Sequence, residues 1–466
     1  MNTLTDTHTD WPSMAQLLSV LQLQDYNTRV VVIGTVLLGI AAGMIGTFML
    51  LRKRALMGDA ISHATLPGIG IAFLVMAANG GSGRWLPGLL LGAVISGLIG
   101  MGSVLLVRSQ SRLKEDAALG IVLSVFFGLG VAILGIIQQL SLGHAAGLES
   151  FIYGKTASML ARDAWLIAAT AMAVLLFCVM FFKEFGLICF DQQYAGSQGW
   201  NVALLDVIMM ALVVVVTVIG LQAVGLILMI ALLVTPPAAA RFWTSHLTRM
   251  MIISALIGAV SGYCGSAISA LMPRLPAGAV IVIVAGACFL VSMIFGTERG
   301  ILKRVLRHAQ LSRRVELHHL LRALYEWNEQ HQPDTADSLA AHSLQKPMGR
   351  QLLAEARSWS LPALLRVLRR SRHKGFVRIG RNNDVQLTRE GFHEAWRVVR
   401  NHRLWETFLV THADIATVHV DSSADEIEHV LGVDMVTRLE ALLQQSHPEL
   451  VMPESPHIIS RLGVPA

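Results

Sequence analysis

Long apolar runs separated by short polar breaks occupy the chain from about Val30 to Phe295, and the pattern stops there. The runs cover residues 30–51, 55–76, 86–106, 119–137, 165–182, 202–219, 221–240, 251–270 and 279–295. A helix needs about 20 apolar residues to cross a hydrocarbon layer roughly 30 Å thick, so the pattern predicts eight or nine membrane-spanning helices. Only Gly220 separates 202–219 from 221–240, so one of these two is expected to be broken or re-entrant. Pro236 and Pro237 are expected to break a spanning helix, which is tolerated where the break lines a cavity or meets another helix. Residues 14–23 predict a short interfacial helix.

Beyond about Lys303 the period changes. Leu317, Leu320, Leu321, Leu324 and Tyr325 fall on one face of a helix predicted over 316–330. Residues 334–338 read as a turn and cap. A second amphipathic helix is predicted over 361–372, with Pro362 in its first turn. Residues 376–379 and 385–387 flank Arg381-Asn382-Asn383-Asp384, a hairpin with turn chemistry at its tip. Another helix starts near Thr388. Helices followed by a small hairpin predict a winged helix. The expected fold is therefore an all-α polytopic membrane domain followed by a soluble winged-helix and helical domain.

Composition agrees with two unlike halves. The 466 residues are 54% hydrophobic and 15% charged, against roughly 25% charged in soluble domains. Of the 17 histidines, 13 lie after Lys303. Cys178, Cys189, Cys264 and Cys288 fall in the apolar half without a CxxC pair and read as small hydrophobes. The polar residues 1–10 show no cleavable signal peptide. No GxxxxGK[ST] loop occurs, so no nucleotide is expected on this chain by that motif. The net charge of +6 suits cytoplasmic membrane flanks as well as nucleic acid. Arg108, Arg112, Lys114, Lys183, Arg241, Arg249, Lys303, Arg304 and Arg307 lie between or after the spans, which predicts a cytoplasmic C-terminus. Arg52, Lys53 and Arg54 put the N-terminus outside for nine spans, and eight reverse it.

Ionisable residues inside a spanning helix mark function. Asp59 and His63 are i, i+4 in the run GDAISH and share a helix face. A carboxylate with an imidazole suits manganese, iron or zinc; the alternative is an Asp–His pair that joins two helices. Residues 52–70, RKRALMGDAISHATLPGIG, resemble the signature of the ABC permeases that import these metals. KEDAALGIV (114–122), SFIYGKTASM (150–159), GLQAVGLILMIALLVTPPAAA (220–240) and LPAGAVIVIVAGACFLVSMIFG (275–296) match the same family in order. The resemblance implies that Asp59 and His63 contact metal in the translocation path. It implies a multi-pass protein of the bacterial inner membrane, not itself an enzyme. Its partners would be a cytoplasmic ATPase, an extracytoplasmic metal-binding protein and a second permease copy or sister permease. The segment 190–197 resembles the family's cytoplasmic coupling helix, which assigns Asp191, Gln192, Gln193, Tyr194 and Ala195 to ATPase docking; an ordinary loop is the alternative.

The helix predicted over 361–372 carries Arg366, Arg369, Arg370 and Arg372. These cations suit DNA phosphates or, alternatively, a solvated or lipid-facing surface. LTREGFHEAWRVVRNHRLWETFL (388–410) and VHVDSSADEIEHVL (418–431) resemble metal-dependent repressors of the diphtheria-toxin-repressor type. The resemblance implies a winged helix joined to a dimerisation domain that binds iron or manganese. Carried over by motif, the regulatory ligands are His402, Glu406, His419, Asp425, Glu428 and His429. His402 with Glu406, and Asp425 with Glu428 and His429, share helix faces by spacing, and a set without thiolate favours manganese or iron. Two departures stand out. His319 and Arg322 occupy first-helix positions where the family has acidic or thioether ligands; His319 can substitute, whereas Arg322 would repel a second ion. Two extra residues also precede the DEIEH run.

The expected organisation is an N-terminal segment (1–27), a permease domain (28–300), a basic linker (301–314), a winged-helix domain (315–390), a metal-binding and dimerisation domain (391–445) and a tail (446–466). The expected function is metal import, manganese first, with a fused domain that gates transport or binds DNA. The alternative is a membrane-anchored regulator that no longer transports.

Overall fold

The computed structural model describes residues 13–80, 85–139, 156, 159–272, 275–331, 346–380 and 382–412. The chain divides into two compact units, 1–304 and 305–466.

The first unit is helical. Its elements are α1 (Met14–Leu21), α2 (Tyr26–Leu51), α3 (Met57–Ala78), α4 (Leu86–Gln110), α5 (Glu115–Gln139) and α6 (Ala161–Met180). They continue with α7 (Phe182–Phe190), α8 (Gln192–Ser197), α9 (Val202–Val224), α10 (Leu226–Ala240), α11 (Leu247–Leu271) and α12 (Ala277–Phe295). Among the described residues, eight helices are long and apolar enough to cross a membrane, and α10 is a shorter apolar helix. Ser13 caps the predicted interfacial helix α1 through a reciprocal bond with Gln16. The anticipated interruption lies at Gly225, whose φ of 87° ends α9, and not at Gly220, which stays helical. Only glycine adopts that backbone without strain.

Pro236 and Pro237 do not break α10, which runs through both. Neither has an N–H to give to the carbonyls of Leu232 and Leu233. Gly46 of α2 packs directly on the second of these, since a Cβ there would lie 2.2 Å from the Leu233 oxygen. The backbone of α2 therefore comes close to α10 where that helix's own ladder lapses.

The core is built by close backbone approach. A Cβ on Gly39 of α2 would sit 2.3 Å from the Gly258 carbonyl oxygen of α11, and one on Gly258 would sit 2.2 Å from that of Gly39. Around this crossing the Ser254 hydroxyl donates to Gly43 O at 2.7 Å, and Thr35 Oγ1 meets Ser266 Oγ at 2.9 Å. Small residues and hydroxyls supply association where lipid leaves little hydrophobic drive between helices. Gly39→Leu is expected to part α2 from α11 and cost about 3 kcal/mol or more by overpacking. Thermal unfolding of the purified chain checks this; an unchanged midpoint would contradict the crossing.

Among the described residues, the second unit is mostly helical with one hairpin. It contains most of α13 (Ile301–His331), α14 (Arg350–Ala356), α15 (Leu361–His373), β1 (Val377–Ile379), β2 (Val385–Leu387) and α16 (Arg389–His412). Residues 301–314, expected as a linker, are helical and continuous with the predicted helix. The strands pair antiparallel, Val377 with Leu387 and Ile379 with Val385, and Met348 bridges to Val385. Leu320, Leu321, Leu324, Leu353, Leu364, Val367, Leu368 and Val377 form a separate core. The Thr388 hydroxyl accepts from the Gly391 N–H at 2.9 Å at the start of α16. The turn expected at 334–338 lies outside the described residues.

Candidate functional site

Helix α3 carries the first candidate site. Asp59 falls in its first turn, where the helix dipole favours a carboxylate. His63 follows one turn later, and its Nε2 lies 3.4 Å from Asp59 Oδ1. The Asp59 side chain is 33% exposed and that of His63 18%, so both remain reachable within an apolar helix. His63 Nδ1 is buried, and no described group bonds to it. The ring stands edge-on to Phe127 of α5, with centroids 4.9 Å apart. Four residues on, Pro67 has no N–H to give to the His63 carbonyl. The neighbouring hydroxyls turn to the backbone instead, Ser62 Oγ donating to Gly58 O at 2.7 Å and Thr65 Oγ1 to Ser62 O at 2.7 Å. Imidazole and carboxylate thus face each other one turn apart on α3, just ahead of the proline that interrupts its hydrogen-bond ladder.

The chain between the spans forms two short helices. Asp191 caps α8 by accepting from the Tyr194 N–H at 2.9 Å. Gln192, Gln193 and Tyr194 are exposed, and Ala195 is buried. The segment 190–197 is therefore a capped helix rather than an ordinary loop.

A buried ion cluster, whose partners lie far apart in the sequence, ties this segment to the end of α2 and to α9. Arg52 Nη2 donates to Asp206 Oδ1 at 2.8 Å, and Arg54 Nη1 donates to Asp206 Oδ2 at 2.7 Å. Arg52 Nη1 also donates to the Ile188 carbonyl of α7 at 2.9 Å. With its amide turned so that the oxygen accepts, Gln192 meets the same guanidinium. Arg54 is 2% exposed. The signal was present in the sequence: Asp206 is an acid inside an apolar run, the kind of residue that singled out Asp59.

In the second unit, Arg366, Arg369, Arg370 and Arg372 lie exposed on α15, opposite the buried Leu364, Val367, Leu368 and Ser371. Arg370 makes an exposed ion pair with Glu316 at 3.3 Å. His402 and Glu406 are both buried on α16, with His402 Nε2 3.1 Å from Glu406 Oε1. His319 is half-buried on α13, one turn before the buried Arg322. His419, Asp425, Glu428 and His429 lie outside the described residues. Nearby, Arg403 grips Glu329 with both terminal nitrogens, Nη1 donating to Oε1 at 2.9 Å. Burial pushes the Tyr325 phenol up, and the Glu329 charge adds to it. Burial opposes the Arg403 charge, but the Glu329 bond outweighs it and holds that guanidinium protonated. Among the described residues, no three His, Cys, Asp or Glu side chains gather as a metal cage.

Residues 24–296 match the model of the ABC 3 transport family, which is more than half of the chain. The chain belongs to the ABC 3 transport family. A second match covers residues 388–450, to the metal binding and dimerisation domain of iron dependent repressors. The manganese transport system membrane protein MntC of Bacillus subtilis is 38% identical over 401 residues, which is 86% of this chain and 88% of that protein. The zinc transport system membrane protein TroC of Treponema pallidum is 43% identical over 288 residues, covering 62% of this chain and 95% of that one. PsaBC from Streptococcus pneumoniae, solved in complex with a Fab, aligns with a TM-score of 0.54 and 30% identity over 62% of this chain and 99% of that one. This chain is thus a multi-pass ABC transport permease with a repressor-type domain following its membrane unit, as the motifs at 52–70 and 388–431 implied.

Proposed function

We propose that this chain is the permease subunit of a bacterial inner-membrane importer for a divalent transition metal, manganese first, with iron and zinc next. The observation that carries the reading is the Asp59–His63 pair, partly exposed in a spanning helix, with a buried imidazole nitrogen to which no described group bonds. Two side-chain donors suit cargo rather than a resident ion, because a conducted ion has to leave as readily as it enters. The mixed oxygen and nitrogen set selects a borderline ion over calcium or magnesium. MntC and TroC, named for manganese and zinc transport, support the same class.

A cytoplasmic ATPase docks on Asp191–Ala195 in this reading, and an extracytoplasmic protein delivers the metal. A second permease copy, or a sister permease, completes the path. The C-terminal unit lies in the cytoplasm and biases transport as a regulator-like domain. The test is accumulation of manganese, iron and zinc in cells that co-express the ATPase, comparing the intact chain with Asp59→Ala and His63→Ala. Selective accumulation of one metal, lost in both variants, supports the reading and names the cargo. Equal accumulation by all three proteins at matched expression would favour a membrane-anchored regulator.

A second reading of the C-terminal unit is DNA binding, favoured by the four exposed arginines of α15 beside the hairpin. Its mark would be affinity for duplex DNA that falls steeply with salt, each phosphate contact contributing about −0.9 to the logarithmic slope. Replacing Arg366 and Arg369 by alanine is expected to flatten that slope by about two; binding unaffected by salt or by these changes would exclude DNA.

A further inference from the structure

The motif resemblance to metal-dependent repressors assigns a metal to His402, within the segment that matches their metal binding and dimerisation domain, and the described residues around it do not fit one. Both imidazole nitrogens are engaged. Arg322 Nη1 lies 3.2 Å from His402 Nδ1, and a guanidinium can only donate, so Nδ1 is the accepting nitrogen. The ring proton then sits on Nε2 and is donated to Glu406 Oε1, 3.1 Å away. Arg322 itself is anchored, its Nε donating to Glu326 Oε1 at 2.6 Å, with Arg357 3.7 Å from the other oxygen of that carboxylate. Arg322, His402 and Glu406 are 2%, 1% and 0% exposed.

A ligating histidine offers a bare nitrogen to the ion and gives its other N–H to a carboxylate or carbonyl. His402 keeps the second half of that arrangement, toward Glu406. The first half faces a permanent cation. A guanidinium cannot lose its proton at any accessible pH, so it cannot make way as a protonated carboxylate or thiol does when metal binds. A divalent ion at Nδ1 would have to expel a buried, carboxylate-anchored arginine. One at Nε2 would bring two further positive charges against it in a site closed to water.

We infer that the Arg322 guanidinium stands in place of the metal ion at His402, so that this corner of the C-terminal unit is held together by a built-in cation and His402 is not a metal ligand. The inference rests on the repressor-type match and is independent of the transport reading. It assigns Arg322 the work an ion does in a metal-gated domain: anchored by Glu326 on α13, it joins that helix to α16 through His402, which in turn bonds Glu406. That bridge is permanent, and a rise or fall in cytoplasmic metal leaves it in place. Any metal response of this unit has to run through donors other than His402.

The test uses the full-length purified chain carrying Asp59→Ala and His63→Ala, so that ions on the transport pair do not contribute. Bound manganese(II) is counted by electron paramagnetic resonance, with and without the further change His402→Gln. The expected count is the same in both, whether it is zero or one ion held elsewhere. Introducing Arg322→Glu in the same background is expected to add one manganese(II) per chain, and His402→Gln is expected to remove it again. An ion bound by the chain with Arg322 intact and lost in His402→Gln would overturn the inference. So would a folded Arg322→Glu chain that gains none. Should Arg322→Glu fail to fold, the first comparison decides alone.

Discussion

Replacing Asp206 by alanine is expected to lower the stability of the membrane unit by about 3–5 kcal/mol, the usual cost of removing one partner from a buried ion pair. The carboxylate accepts from two arginines, Arg52 and Arg54, whose side chains are 5% and 2% exposed. Without it, two buried guanidiniums lose the carboxylate that they share. Asp206→Asn keeps an acceptor but not the charge, and is expected to lose less. Converting Arg54→Met together with Asp206→Leu removes charge from both sides and is expected to recover part of the loss, because a packed apolar pair costs no desolvation. Thermal unfolding of the three variants in one detergent checks the order. Asp206→Ala within about 1 kcal/mol of the native chain, the value of an exposed pair, would show that the cluster is open to water. The same change is expected to weaken the link between α8 and α2, since Arg52 also holds the Ile188 carbonyl and meets Gln192.

The largest functional effect is expected at Asp59 and His63. Removing even an outer partner of a metal ligand costs about 10- to 100-fold in affinity or activity, so losing a direct donor in a two-donor site is expected to cost at least that in uptake. Asp59→Asn retains one neutral oxygen and should fall between native and Asp59→Ala. The melting temperature is expected to change little in either, because both side chains are partly exposed and their mutual contact is 3.4 Å long. Uptake and stability therefore separate this pair from Asp206, where stability falls first.

Much of this arrangement is legible in the chain itself. Runs of about 20 apolar residues fix eight long helices because a helix satisfies its own backbone in lipid, whereas a barrel strand needs only about 10 residues to cross. The i, i+4 placement of Asp59 and His63, the arginine face of α15 and the Asn-Asn-Asp turn between β1 and β2 follow from local periodicity. What local pattern leaves unseen is long-range. The interruption falls at Gly225 rather than Gly220 because one takes a positive φ while the other is held against Met229 in the helix. The Pro236–Pro237 pair lies inside α10, where Gly46, distant in sequence, packs against the Leu233 carbonyl and the Pro237 ring. Arg52 and Arg54 read as a cytoplasmic flank by charge, yet both reach Asp206, more than 150 residues away. Arg322 announced itself as a cation in a ligand position, and only packing shows that it bonds His402.

The most direct measurement of the central claim is ATP-driven metal entry into proteoliposomes holding this chain, its ATPase and the delivering protein. Manganese, ferrous iron and zinc are supplied in turn. The account predicts saturable entry of one of these ions with the native chain, none without ATP, and a loss on the order of 10- to 100-fold or more with His63→Ala. Entry at the native rate through a folded His63→Ala chain would contradict it, because the ion would then cross without the imidazole on which the proposed path depends.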